Sequence, residues 1–362
     1  MLKNILKLDW LLILPMFLLI AFGLIAIHSL SFGVTGDGLS IFDRQLIFVV
    51  ISLVFFFIIS FIDYRIWRSY ASIFYFVSIV LLVLVFVIGK TTNGAVSWFK
   101  LGFFNFQPVE FVKISLVLLL AKYFSQVEAT ILNWKNVLVS FVYVFIPVLL
   151  VILQPDMGSA MVLLSIWLGM VFLAGMNFRQ LLVLLLGGVI IIFGSWSLVL
   201  HNYQKQRVIS FLHPGQDALG SGYNVIQAMV AIGSGGLTGK GVGNGSQSQL
   251  NFIPEKHTDF IFATISEESG LIGVALILLF FAIIFFRMKV TIESSRDRFG
   301  RLIVAGTLVT IFFQILINIG MNLGIMPVAG LSLPFLSYGG SFLLTIVVLM
   351  AITQNVWLRG RV

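Results

Sequence analysis

Few side chains in this sequence can do chemistry, and several of them stand where charge is expensive. Asp259 follows Pro254-Glu255-Lys256-His257-Thr258 and precedes the apolar Phe260 and Ile261. Apolar neighbours disfavour a carboxylate's charge and raise its basicity, so Asp259 can serve as a general base. Its default role is a helix N-cap or a first-turn acid that complements the helix dipole. His257 offers an acid–base group or a metal ligand, but His28, His201 and His213 show no ligand spacing with it. Glu110 and Lys113 are three residues apart, share a helical face and can pair. Such a pair either locks helices together or forms a polar pocket in which Lys113 meets an anionic ligand. Glu267 and Glu268 also interrupt an apolar run, as packing glue or as chemistry. Lys205 and Arg207 can grip a phosphate or remain solvated loop charges. Trp98, in Val96-Ser97-Trp98-Phe99, has the default role of an interfacial anchor.

Some chemistry is excluded. There is no cysteine, hence no disulfide, thiolate metal site or cysteine nucleophile. Gly233, Gly235, Gly236, Gly239, Gly241, Gly243 and Gly245 form a glycine run around Lys240. A phosphate loop would need glycine where Ser234 stands and Ser or Thr where Gly241 stands, so ATP binding is not supported. The run suits tight turns or close backbone approach to a ligand.

The elements that must position these residues are membrane spans. Of 362 residues, 59% are hydrophobic and 10% charged, whereas a soluble domain carries about 25% charged residues. About 20 apolar residues cross a bilayer. This rule predicts an all-α, polytopic helical bundle of ten spans: 10–29, 45–62, 70–89, 109–125, 136–153, 158–176, 180–200, 260–286, 301–326 and 335–357. The whole chain, 1–362, reads as one domain with a long loop at 201–259. Within that loop, Tyr223 to Ile232 is too short to span and suits an interfacial helix.

Cations orient the bundle. With the N-terminus inside, short cytoplasmic segments hold Lys3, Lys7, Arg65, Arg68, Lys122, Lys135, Arg179, Arg287, Lys289, Arg296, Arg298, Arg301, Arg359 and Arg361. The short outer loops hold only Arg44, Lys90 and Lys100. The positive-inside rule places both termini in the cytoplasm and the 201–259 loop outside. The net charge of +8 is then loop anchoring rather than a nucleic-acid surface.

At the level of motifs, Gly245 to Ala263 resembles the loop signature of the SEDS family, the shape, elongation, division and sporulation proteins. Gln154-Pro155-Asp156-Met157-Gly158, Ser97-Trp98-Phe99 with Phe106 to Lys113, Gly220 to Gln227, and Pro334 to Ser341 resemble the same family, in its order, nearly end to end. Gln247-Ser248-Gln249-Leu250 is more similar to the rod-elongation branch than to the division branch. Ser246 and Val112 depart mildly from the family pattern, away from the expected chemistry.

The resemblance implies a peptidoglycan glycosyltransferase of the bacterial inner membrane that polymerises lipid II during cell-wall elongation. It implies that Asp259 is the essential residue, that Trp98 is required, and that Glu110 and Lys113 line a central cavity. It also implies a class B penicillin-binding protein as transpeptidase partner. On this reading Asp259 deprotonates the acceptor hydroxyl, and undecaprenyl pyrophosphate leaves, stabilised by Arg207, Lys113 or another cation. Lys240 and His257 complete the expected substrate-binding set. A divalent ion, Mg or Mn, would assist the leaving group, although no ligand cluster stands out to hold it. A lipid II flippase and a non-catalytic scaffold are the competing readings; the chain has no evident inverted repeat or paired broken helices.

Overall fold

The structure, a computed structural model, describes residues 7–31, 39–92, 95–102, 104–127, 133–198, 211 and 221–360. In chain order its elements are α1 (Trp10–Ser31), α2 (Ile41–Phe61), α3 (Tyr64–Ile88), β1 (Lys90–Thr92), β2 (Ala95–Leu101), β3 (Phe104–Phe106) and α4 (Pro108–Gln126). There follow α5 (Trp134–Leu153), α6 (Met157–Leu173), α7 (Phe178–Leu198), α8 (Ser221–Ser234), α9 (Ser246–Gln249), α10 (Ile261–Ser294), α11 (Arg298–Asn322) and α12 (Gly340–Arg359).

Each expected span falls on one of these helices. Among the described residues, seven helices are long and apolar enough to cross a membrane: α1, α2, α3, α5, α10, α11 and α12. The whole of α6 and residues Phe178–Gly188 of α7 are shorter apolar helices, and α4 carries the charges of Glu110, Lys113 and Lys122. The protein is an all-α, polytopic membrane protein. Some boundaries differ from expectation. The span expected at 260–286 continues to Ser294, and the last helix begins at Gly340 because Pro334 to Gly339 forms a turn.

Local sequence explains the helix starts. Ser40 and Asp43 form a reciprocal capping box at α2. Asp63, Asn133, Asp156 and Asp297 accept N-terminal amide bonds at α3, α5, α6 and α11. Pro108 opens α4, where its missing N–H costs no hydrogen bond. In the best-scoring apolar stretch of each helix, 72% of α11 and 78% of α12 is buried, against 22% of α3. The centre of the bundle is therefore α11 and α12, and α3 turns mostly outward. Close approach at the centre requires Gly306, where a β-carbon would lie 2.8 Å from both Val117 and Met170.

Two features were not foreseen. The stretch between α3 and α4 is a three-stranded antiparallel sheet in the order β1-β2-β3, with Phe99 opposite Phe106 and Lys100 opposite Asn105. The other is a break in α10 at Gly270 (φ 64°, ψ −164°). A break frees backbone groups, which cannot stay unpaired in lipid. The glycine run supplies their partners. Lys240 N donates to Glu267 O and Gly241 N to Glu268 O, both at 3.0 Å. Leu271 N donates to Gly236 O at 2.9 Å, and Ile272 N to Leu237 O at 3.1 Å. Only glycine permits this approach, since a β-carbon at Gly235 or Gly239 would overlap the carbonyl oxygens of Ser266 and Glu268 respectively. The run thus approaches the protein's own helix.

Candidate active site

Alternating helices bring one set of chain connections to the same end of the bundle, and a cavity of about 750 Å³ lies among them. Arg44 and Phe48 reach it from α2, Ser97, Trp98 and Lys100 from β2, and Asn105 from β3. From α4 come Glu110 and Lys113, with Gln107 just before them. Pro155, Asp156, Met157 and Ser159 mark the start of α6. Glu255 and His257 to Asp259 approach from the turn before α10, and Ala329 to Ser332 and Tyr338 to Phe342 from the α11–α12 connection.

Asp259 lies one residue before the N-cap of α10. The cap itself is Phe260, which makes no side-chain cap bond, so capping does not explain an aspartate at 259. Gly330 faces the carboxylate: a β-carbon there would sit 3.7 Å from Asp259 Oδ2, an ordinary contact, and glycine is favoured by the left-handed backbone at this position (φ 67°). The turn is pinned from the α12 side: Tyr338 N donates to His257 O at 2.8 Å, and Ser337 Oγ donates to Thr258 O at 2.6 Å. Ser341 Oγ donates to Asn105 O at 2.8 Å and accepts from Gln107 N at 3.3 Å. The sheet that carries Trp98 is thereby tied to the same frame.

Glu110 and Lys113 form the expected pair, at 2.6 Å, with side chains only 5% and 1% exposed. Lys113 Nζ also lies 5.5 Å from the centroid of the Phe342 ring, a cation–π contact. The second oxygen of Glu110, Oε2, is buried with no hydrogen-bond partner among the described residues. The three-residue spacing thus gives the pair it predicts, and the pair stands in the cavity wall. Asp156 caps α6 through Ser159 N at 3.0 Å and accepts from Gln107 Nε2 at 3.3 Å.

Burial lowers the pKa of the His257 imidazole from its ordinary value; Glu255 acts in the opposite sense and Lys256 in the same sense. Burial also raises the Tyr338 hydroxyl, against the pull of Arg44. His257 is therefore mainly neutral at pH 7, and its ring meets that of Tyr338 edge-on at 5.8 Å.

The cavity thus brings together Trp98, Glu110, Lys113, His257 and Asp259. Lys240 is not among its lining residues. Its ammonium pairs with Glu267 Oε1 at 2.8 Å, beside the α10 break, because a fully buried carboxylate needs its charge balanced. Glu267 also accepts from Gln247 N at 2.9 Å and Ser248 N at 3.0 Å. Glu268 accepts from Ser29 Oγ at 2.7 Å and Gly243 N at 3.0 Å. The two glutamates hold the loop before α10 in place. Arg207 and Lys205 lie outside the described residues. Among the described residues, no three His, Asp or Glu side chains converge to hold a metal ion.

Residue-by-residue reading passed over Arg44, Lys100, Asp156, Glu255 and Tyr338 as site groups. Asp156, Glu255 and Tyr338 lie inside the motifs that carry the family resemblance, which is the signal the sequence offers for them. Arg44 and Lys100 were visible only as outer-loop charges.

Residues 9–360 match the family model of cell cycle proteins of the FtsW, RodA and SpoVE type. The chain belongs to this family. The peptidoglycan glycosyltransferase MrdB of Escherichia coli K12 is 36% identical over 94% of this chain and 92% of its own. Stage V sporulation protein E of Bacillus subtilis is also 36% identical, over 96% of both chains. Among solved structures, a chain from work on coordinated polymerisation and crosslinking by a peptidoglycan synthase complex has a TM-score of 0.83 and 32% identity, over 97% of each chain. The rod shape determining protein RodA of Thermus thermophilus has a TM-score of 0.72 and 28% identity, over 97% of this chain and 96% of its own. Membership therefore spans the bundle, the sheet and the cavity together.

Proposed function

We propose that this chain is a peptidoglycan glycosyltransferase that polymerises lipid II into glycan strands, with Asp259 as general base. One observation carries the reading: a cavity at one end of a membrane bundle gathers the Asp259 carboxylate with Arg44, Lys100 and Lys113. The substrate has a lipid tail, a pyrophosphate at the interface and a sugar outside. A lipid-immersed bundle with a cationic, carboxylate-bearing cavity at one end matches those three parts. Kinship with named peptidoglycan glycosyltransferases supports the assignment.

Asp259 takes the proton of the acceptor's GlcNAc 4-hydroxyl as its oxygen attacks the donor's MurNAc anomeric carbon. The bond from that carbon to the pyrophosphate oxygen breaks, and undecaprenyl pyrophosphate departs with the electron pair. Negative charge grows on the leaving oxygens, which Lys113, Arg44 and Lys100 can stabilise. Trp98 contributes a flat apolar wall on the sheet, and His257 a neutral hydrogen-bonding group beside the base. The charge bias of the loops supports a reading with ten spans, both termini inside and the cavity on the outer face of the inner membrane. A class B penicillin-binding protein supplies crosslinking.

The break at Gly270 is the feature a flippase would share. It is filled by the chain's own glycine loop, which favours the enzyme. Lipid II in detergent micelles separates the two readings. A micelle has no bilayer to cross, so a flippase leaves lipid II chemically unchanged. The enzyme, with its transpeptidase partner present, releases undecaprenyl pyrophosphate, and its failure to do so in that complex would sink the proposal.

A further inference from the structure

The backbone of Asp259 is held by a neighbouring helix. Its carbonyl oxygen accepts from Asn318 Nδ2 at 2.9 Å and from Asn322 Nδ2 at 3.0 Å. The two asparagines are four residues apart on one face of α11, and both are fully buried. Each has further partners at the same junction. Asn318 Nδ2 also donates to Leu331 O at 2.6 Å. Asn322 Nδ2 donates to Asn318 O at 2.8 Å, and its Oδ1 accepts from Ala263 N at 3.3 Å. Ala263 is the third residue of α10, whose N-cap Phe260 supplies no side-chain acceptor. Asn322 therefore caps α10 from another helix, doing what an N-cap Ser or Asp does within its own.

We infer that Asn318 and Asn322 are positioning residues for glycosyl transfer, aiming the Asp259 carboxylate into the cavity by fixing its peptide plane. The inference rests on Asp259 being the general base. Two donors on one carbonyl occupy both of its lone pairs and remove the peptide's freedom to rotate. The second Asn318 bond holds the Ala329–Ser332 wall, and Gly330 in that wall faces the carboxylate. One buried amide thus fixes both the base and the wall opposite it. Ordinary packing glue in a membrane bundle needs only a partner across the helix interface. Here the amides meet at the one peptide that carries the base. A misplacement of about 1 Å is enough to reduce turnover by roughly a hundredfold.

The test uses the full chain in nanodiscs with its transpeptidase partner and fluorescent lipid II. Asn318→Leu, Asn322→Leu and Asn318→Gln are compared with wild type and Asp259→Ala. Turnover, KM and melting temperature are read for each. Positioning predicts that Asn318→Leu loses at least tenfold in kcat with KM within about threefold of wild type. It also predicts that Asn318→Gln, which keeps the amide, recovers part of the loss. If Asn318→Leu does not fold, Asn318→Gln and Asn322→Leu carry the same comparison. Folded variants with kcat within twofold of wild type, beside an inactive Asp259→Ala, overturn positioning and leave the base in place. A melting temperature that falls while kcat per folded molecule holds also overturns it. Full turnover in Asp259→Ala overturns the base itself.

Discussion

The glycine loop filling the α10 break gives a prediction that two adjacent residues can separate. At Gly235 a β-carbon would overlap Ser266 O and lie 3.1 Å from Glu267 Cα. At Gly236 the backbone has φ +57°, but a β-carbon would meet nothing within 4 Å. Gly236→Ala therefore introduces only the left-handed strain, about 1–2 kcal/mol. Gly235→Ala must instead push the loop off the helix. The nearest bonds at risk are Leu271 N to Gly236 O and Lys240 N to Glu267 O. Each buried group left unpaired costs about 1–3 kcal/mol, so losing both bonds costs on the order of 2–6 kcal/mol. At roughly 2–4 °C per kcal/mol, this lowers the melting temperature by about 5 °C or more. Gly236→Ala, at about 1–2 kcal/mol, should lower it by about 2–8 °C and by less than Gly235→Ala does. Intrinsic-fluorescence melts in nanodiscs read both, and hydrogen exchange over 265–275 shows whether the break opens. Equal melting temperatures for the two variants, or a neutral Gly235→Ala, would refute the packing argument.

Further predictions concern the charges. Lys113→Met should remove most polymerising activity, and adding Glu110→Gln should recover stability but not turnover, since the second change discharges a buried carboxylate without restoring the cation; melts and polymer gels distinguish the two. Lys240→Met should destabilise more than Glu267→Gln, by about 3–5 kcal/mol, because it leaves the fully buried Glu267 carboxylate without its balancing charge; denaturation of both variants checks the order. His257 has a folded pKa below its unfolded value because of burial. The unfolded chain then binds the proton more readily, so stability holds above about pH 6.5 and falls as pH drops through the folded pKa. His257→Gln should flatten a melting-temperature profile between about pH 5 and 8, and an unchanged slope would contradict the burial argument.

How much of this was readable beforehand follows from what a membrane imposes on sequence. Lipid selects apolar runs of about 20 residues, so the helices were legible. Glu110 and Lys113 were legible as a pair because three-residue spacing on a helix fixes a common face. The convergence of Trp98, Glu110, Lys113, His257 and Asp259 was not in their spacing; family resemblance suggested part of it, and packing brings them together. The Gly270 break was hidden because hydropathy is blind to backbone dihedrals. Its visible trace was the polar run Glu267-Glu268-Ser269-Gly270 inside a span. Lys240 was expected at the substrate and instead balances Glu267, a partner that only the folded loop reveals. Asn318 and Asn322 carry no sequence signal beyond being polar residues of a long helix; their role lies in the bonds to the Asp259 carbonyl.

The central claim is that this chain performs glycosyl transfer and that Asp259 drives it. The most direct measurement is glycan polymerisation from labelled lipid II by the purified protein with its transpeptidase partner, which must lack any glycosyltransferase domain. Wild type and Asp259→Ala are run side by side, and folding and partner binding of the variant are verified. The account predicts glycan strands from wild type and none from the variant. Strands of equal length and yield from both would contradict it.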